Sequence, residues 1–491
     1  MMKLIRCAVT LCLLATFGQL AALAQIIPTT PSTVAGNWLG TVDIGGIRLR
    51  LLLKIKQGED GKLSATFDSV DQGANDLPIR SIMVEGGVVR FDAPNLALSY
   101  EGKLNADNSE IVGQLKQGPG SFPLTLRRTD QAPVLSRPQD PKKPYPYKEE
   151  EVTYENTIDK VKLAGTLTLP PSKNPVPAVV LITGSGGQDR NETILGHRPF
   201  LVLADHLTRR GIAVLRVDDR GIGGSDAGSP TATSENFALD VLAGVNFLKS
   251  RKEINPRQIG LVGHSEGGMI APIAAARSRD VAYIVMLAGM GQTGANVILG
   301  QGDLMQRAGG RDEQSIADVR KAYEQIFEIL KAEPDKKLAE KKIREMITNY
   351  LAAMTEERRN AFSPVLGTIN TQMAMYVSEW FRYFVQFDPA PTLAKIRVPV
   401  LALVGEKDLQ VPPKENLALI GAALKKGGNR NYTLYIMPGL NHLFQTAQTG
   451  LVSEYGTIEE TFAPAALETV SGWIIKQTSP RRRTPRAGPK G

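Results

Sequence analysis

The stretch Gly263-His264-Ser265-Glu266-Gly267-Gly268 is the part of this 491-residue sequence whose residue types and spacing point most directly to chemistry. An apolar run at 259–262 precedes it and a helical pattern at 269–277 follows it. In that strand-turn-helix setting a G-x-S-x-G turn is a nucleophile elbow. The glycines leave room for the tight turn, and the serine stands at its tip beside a helix N-terminus that favours negative charge. A serine hydroxyl is a weak nucleophile until a base removes its proton, so a histidine must be supplied from elsewhere in the chain.

Only four histidines exist. His264 adjoins the serine, and the chain direction at the turn should aim it away. His206 lies in a helical pattern beside Asp205 and Arg209, where a solvent-facing role is the simpler reading. His197 sits in a loop at 192–199 with no strand end to fix it, and serves as the fallback. His442 follows the last apolar strand pattern in Met437-Pro438-Gly439-Leu440-Asn441-His442 and is the expected base. The chain order of such an elbow enzyme is nucleophile, acid, histidine. Asp408, one short turn after an apolar run at 398–404, is the expected orienting acid; Glu406 is the near alternative and Asp388 a distant one.

The negative oxygen formed on an attacked carbonyl needs donors already aimed at it. One is expected from the backbone N–H of Glu266. The second is expected from the glycine-rich turn Thr183-Gly184-Ser185-Gly186-Gly187, with Ser185 or Gly186 as the donor. No Lys-Ser/Thr pair follows this turn, so it is not a phosphate-binding loop, and the dinucleotide fingerprint fails as well. A second glycine-rich turn, Asp218-Asp219-Arg220-Gly221-Ile222-Gly223-Gly224-Ser225, reads as structural, its charges bracing neighbouring loops. Trp380, Phe381, Tyr383, Phe384 and Phe387 are candidates for lining an acyl pocket or for plain core.

Elements able to hold these residues follow from hydrophobic periodicity. Apolar β runs at 178–183, 212–217, 258–262, 282–287, 398–404 and 432–437 alternate with helical patterns at 200–210 and 234–251. That is a mostly parallel sheet covered on both faces, led by a hairpin from 151–155 and 161–169. The alternation is interrupted at about 292–392 by charged helical sequence, which reads as a helical cap inserted over the strand ends. Upstream, residues 35–128 alternate polar and apolar in short runs divided by turn residues, the pattern of a small antiparallel all-β domain. Its opening Gly36-Asn37-Trp38-Leu39-Gly40 resembles the first strand of small lipocalin-like barrels, a half-barrel at least. A proline-rich linker at 129–148 joins it to a catalytic region at 149–477.

The first residues read as an export signal: Lys3 and Arg6, a mostly apolar run, then Ala22-Leu23-Ala24, giving cleavage after Ala24 and a secreted or periplasmic product with no integral membrane span left. Cys7 and Cys12 lie inside that segment, so the mature chain has no disulfide, thiolate metal site or cysteine nucleophile. The formal charge of +8 sits at the two ends. Setting aside Lys3, Arg6, Lys476, Arg481, Arg482, Arg483, Arg486 and Lys490 leaves fifty basic residues against 50 acidic ones. The folded body is near neutral, the basic residues at 478–491 read as a solvated disordered tail, and no nucleic-acid partner is expected.

With these motifs in order, residues 149–477 resemble the α/β-hydrolase superfamily. Within it, Gly184-Ser185-Gly186-Gly187-Gln188-Asp189-Arg190, Asp219-Arg220-Gly221 and the elbow resemble bacterial exported carboxylesterases grouped with serine aminopeptidase-like hydrolases. The family's usual His-Gly before the oxyanion turn is Thr183-Gly184 here. The resemblance implies hydrolysis of a small-molecule acyl ester through an acyl-enzyme on Ser265, without a cofactor. A peptidase or aminopeptidase-like amide hydrolase is the rival within enzymes, and a non-catalytic envelope-binding protein the rival outside them. Acyl length and oligomeric state are left open.

Overall fold

The computed structural model describes residues 34–44, 47–118, 120–131, 133 and 136–479. The expected export segment and all but the first two residues of the expected tail lie outside them. Period-two alternation over the first part of the chain produces one antiparallel sheet. Its strands are β1 (Gly36–Ile44), β2 (Ile47–Gln57), β3 (Leu63–Ser69), β4 (Ala74–Pro78), β5 (Ser81–Glu85), β6 (Val88–Ala93), β7 (Leu98–Leu104), β8 (Glu110–Gln117) and β9 (Gly120–Thr129). They pair in the order β4-β3-β2-β1-β9-β8-β7-β6-β5. The two edge strands, β4 and β5, are separated in sequence by Ile79 and Arg80 alone, so the sheet must curl until its edges approach each other. The Ile79 N–H donates to the Ala65 carbonyl and the Arg80 N–H to that of Asp92, which fastens the seam. Trp38, Phe67, Phe91, Tyr100 and Ile111 fill the interior. The Trp38 indole N–H donates to the Val34 carbonyl at 2.8 Å, which satisfies the one polar atom of that side chain.

The remaining strands form a second sheet of different character: β10 (Lys148–Asn156), β11 (Val161–Leu169), β12 (Val176–Ile182), β13 (Ala213–Val217), β14 (Ile254–His264), β15 (Tyr283–Leu287), β16 (Val400–Gly405) and β17 (Tyr432–Met437). The order is β10-β11-β13-β12-β14-β15-β16-β17. β10 and β11 form the leading antiparallel hairpin, and from β13 through β17 every pairing is parallel. Every residue of β15 and β16 is buried, as expected for strands covered on both faces. The helices α1 (Pro199–Arg209), α2 (Ser234–Lys249) and α3 (Glu266–Arg277) lie between successive strands up to β15. Six helices then run between β15 and β16: α4 (Gly294–Ala308), α5 (Glu313–Ala332), α6 (Lys336–Ala352), α7 (Glu356–Tyr376), α8 (Glu379–Gln386) and α9 (Ala390–Leu393). Finally α10 (Pro413–Lys426), α11 (Val452–Tyr455) and α12 (Pro464–Thr478) complete the chain. Side chains of α1 and α12 pack on one face of the sheet, while α2, α3 and α10 pack on the other with the inserted helices.

The proline-rich segment between β9 and β10 is held against the region of the second sheet. Arg137 donates to the carbonyls of Leu195, Gly456 and Ile458, and Gln139 accepts the N–H groups of Thr461 and Phe462.

Candidate active site

β14 ends at His264 and α3 begins at Glu266, so Ser265 alone makes the turn, at φ 53 and ψ −115. A non-glycine residue in this region is strained, and strain of this kind persists only where the surroundings fix it. They do: the Ser265 N–H donates to the Leu287 carbonyl at 2.8 Å, and its carbonyl accepts from Gly268 at 2.9 Å. A Cβ on Gly263 would lie 2.0 Å from the Gly267 carbonyl oxygen, and one on Gly267 would lie 2.1 Å from that of Ile182. Strand, elbow and helix therefore close on each other only with glycine at both positions.

The loops after β16 and β17 bring Asp408 and His442 together. His442 Nδ1 lies 2.8 Å from Asp408 Oδ2, and both residues are buried, at 4% and 1% exposure. A carboxylate accepts, so Nδ1 carries the hydrogen and Nε2 is left as the free basic atom. The other oxygen, Oδ1, accepts the N–H groups of Gln410 and Val411, each at 2.8 Å, which fixes the carboxylate in place. Gly405 permits the two loops to meet, since a Cβ there would lie 2.3 Å from the Leu440 carbonyl oxygen. The alternative acids are engaged elsewhere: Glu406 accepts from the Gly439 N–H and Asp388 from that of Ala390.

The other three histidines have separate positions. His197 is fully buried between Thr461 Oγ1, the Tyr455 carbonyl and Gln445, and burial with nearby Arg137 pushes it down to about 4. His206, expected to face solvent, is half-buried with Nε2 3.0 Å from Ser471 Oγ, because α12 packs over that face of α1. His264 lines the same cavity as the serine, its ring 4.9 Å from that of His442.

The turn after β12 passes close to the elbow. A Cβ on Gly184 would come 3.3 Å from Ser265 Cβ, and Gly186 adopts φ +92. The Gly184 N–H is taken by Glu192 Oε1 at 2.8 Å. Glu266 plays two parts at this junction. Its backbone opens α3, while its buried carboxyl accepts from Ser234 at 2.6 Å and from the Trp380 indole N–H at 2.9 Å. Burial pushes this carboxyl above its ordinary range, against the lowering effect of its hydrogen bonds with Ser234, Trp380 and Ser185.

Ser265 and His442 open on one cavity of about 780 Å³, to which the inserted helices contribute apolar side chains such as Val297, Leu299, Phe381 and Phe384 and charged ones, Asp303 and Arg320. Trp380 lines it as well, whereas Tyr383 instead donates to Glu235 and Phe387 packs on Tyr383. Among the described residues no group of three His, Cys, Asp or Glu side chains is disposed to hold a metal ion.

The family model of the alpha/beta hydrolase fold matches residues 177–446, more than half of the chain. The protein belongs to the α/β-hydrolase fold family. Among curated proteins this α/β hydrolase is 27% identical over 337 residues to Esterase EstD of Thermotoga maritima, covering 67% of this chain and 69% of EstD. Among solved structures it is similar to the Pyrococcus furiosus esterase Pf2001, with 16% identity, a TM-score of 0.41, and 71% and 99% of the two chains covered. The α/β hydrolase GrgF from Penicillium sp. sh18 gives 18% identity and a TM-score of 0.39 over 60% of this chain and 91% of its own.

In this α/β hydrolase the charges of the second glycine-rich turn brace a neighbouring loop, as its sequence suggested, while one residue, Glu192, escaped the motif reading. The Asp218-Asp219 turn braces the oxyanion turn directly: Asp218 takes a forked pair of bonds from Arg190, while Asp219 accepts the Thr183 hydroxyl at 2.7 Å and the Gln188 N–H at 2.9 Å. Burial pushes Asp219 up to about 7. A second cavity of about 310 Å³ lies behind this turn, walled by Asp219, Phe237 and Ile270, and shares Gly184, Glu266 and Trp380 with the first. Glu192 is the missed residue, in a loop whose sequence gives no periodic signal. Its φ of 54 would not be assigned to a glutamate from sequence.

Proposed function

We propose that this hydrolase is an exported serine carboxylesterase that cleaves small to medium acyl esters by two-step acyl transfer. Ser265 Oγ attacks the ester carbonyl while His442 Nε2 takes its proton, and Asp408 holds the opposite ring nitrogen and stabilises the imidazolium. The alcohol leaves with the proton from His442, and the acyl group remains on Ser265. A water that gives its proton to His442 then attacks the acyl-enzyme, releasing the acid and restoring the serine. The N–H of Glu266, with that of Ser185 or Gly186, receives the developing negative charge. Helices α4 to α9 act as a cap that encloses the acyl chain.

The observation that carries this reading is the 2.8 Å bond from His442 to Asp408 in the wall of the cavity onto which the strained Ser265 opens. The name of the relative EstD, an esterase, agrees with an ester rather than an amide as substrate. The test is Ser265→Ala against short-chain aryl esters, with a fluorophosphonate probe on the unaltered protein. Labelling of the unaltered protein and loss of turnover in the variant, with the fold retained, are expected. An unaltered protein that neither labels nor turns over esters, or a variant with undiminished turnover, would overturn it.

A further inference from the structure

Glu192 and His264 lie outside the proposed triad, yet between them they touch three of the pieces that must stay in register. Glu192 Oε1 accepts the Gly184 N–H at 2.8 Å, at the start of the oxyanion turn. The same oxygen lies 2.9 Å from His264 Nδ1, at the end of β14 and one residue before the nucleophile. His264 Nε2 lies 3.0 Å from the backbone carbonyl of His442. With Glu192 ionised, both nitrogens of the His264 ring face atoms that can only accept, the carboxylate Oε1 and the His442 carbonyl. Both nitrogens then carry hydrogens, and the ring is an imidazolium.

We propose that Glu192 and His264 form a buried ion pair whose role is positioning, joining the oxyanion turn, the nucleophile elbow and the loop of His442 into one rigid unit. This rests on the reading of Ser265 and His442 given above. Removing one partner would strand the other charge in the interior, so the pair is held or lost together. Glu192 is kept in its unfavourable backbone conformation by what surrounds it. Its N–H donates to the Asp189 carbonyl, and two residues on, the Ile194 and His197 backbones exchange hydrogen bonds at 3.0 and 2.9 Å. The charged groups that bear on His264 are Glu192, Asp408 behind the His442 ring, and His442 itself. Burial alone would lower the His264 titration, but these carboxylates and the bond to the His442 carbonyl raise it above the ordinary 6.5.

Two measurements test the pair. In the unaltered protein, the ¹⁵N signals assigned to His264 should show both ring nitrogens protonated and a midpoint above 6.5, whereas burial holds His197 and His206 below it. If the His264 midpoint is at or below 6.5, the ion pair does not exist. In Glu192→Gln the carboxamide can still accept from Gly184 but no longer sustains the charge on His264. kcat on an aryl ester should fall by about 10- to 100-fold with KM little changed, the loss typical of misplaced catalytic groups. The alkaline limb of kcat/KM should also move to lower pH, because the charged form of His264 is lost sooner. A kcat within about twofold of the unaltered protein, or an unmoved alkaline limb, would overturn the proposal. The histidine spectra do not depend on the variant folding or on the protein hydrolysing esters. Fluorophosphonate labelling separately reports whether Ser265 is activated, so failure of the pair and failure of the esterase reading give different results.

Discussion

The two sheets bury polar groups in different places. In the curled antiparallel sheet the buried carboxylates Asp68 and Asp71 sit near one turn and are each answered by a basic side chain of β2: Lys54 at 2.7 Å and Arg50 at 2.5 Å. In the parallel sheet Glu192, His264, Glu266, Asp408 and His442 are all buried at one rim, and they are answered by one another, by backbone N–H groups and by neutral donors. The first arrangement braces a turn. The second retains acid–base groups away from water, where small changes of environment move a proton, and it does so beside a cavity. Glycines at which a Cβ would clash with backbone occur in both regions, Gly113 in the first and Gly267 in the second, so close packing alone does not mark the site.

This contrast can be broken in four ways, taken from the largest expected effect. Asp408→Asn keeps an oxygen for the Gln410 and Val411 N–H groups but disturbs the tautomer of His442. It should lower kcat on the order of 10³- to 10⁴-fold, read in steady-state ester hydrolysis, with the thermal midpoint nearly unchanged. Trp38→Ala empties the centre of the curled sheet and should destabilise that region by about 3–5 kcal/mol. Calorimetry should show it as an earlier transition while kcat stays the same; a parallel loss of kcat would mean that the two sheets are not separable.

Next comes a matched pair of glycines. A Cβ on Gly113 would lie 2.1 Å from the Glu101 carbonyl oxygen, and one on Gly267 would lie 2.1 Å from that of Ile182. Each substitution to alanine should cost about 1–3 kcal/mol in thermal or denaturant unfolding. Only Gly267→Ala should also reduce kcat, since it displaces the elbow against the oxyanion turn. The smallest effect concerns pH. Asp219 is pushed up from 3.8 to about 7 in the folded protein, so the folded state binds its proton more tightly than the unfolded chain does. Stability from this group is present below 3.8 and is lost as pH rises through about 7. Asp219→Asn should flatten that fall, as seen in thermal midpoints measured across the interval.

What was legible in the sequence follows the range of each signal. The strands at 282–287 and 398–404 announce themselves because strands covered on both faces are continuously apolar, and period alone suffices. Ser265 is legible because its turn needs glycines at fixed offsets, a purely local demand. Asp408 and His442 are reached by chain order after strand ends, a topological rule that needs no knowledge of distances. Glu192 escapes all three routes. Its side-chain partners Gly184 and His264 are joined to it only through the tertiary fold, and nothing in a loop glutamate predicts a positive φ. The Glu266 to Trp380 bond is illegible for the same reason, since it crosses from the elbow to an inserted helix 114 residues away. In the first domain the alternation gives the antiparallel strands, but not their order: that β4 and β5 become opposite edges is a matter of curl, which no single strand encodes.

Arg137 bears on where this protein can be cut. A fragment started at Lys148, the first residue of β10, would look complete by strand count. It would nonetheless leave the carbonyls of Leu195, Gly456 and Ile458 without their shared guanidinium, along a seam that also includes His197 and the loop leading from His442. The contacts of the second region therefore reach upstream of its own first strand, so the proline-rich stretch is more than a tether.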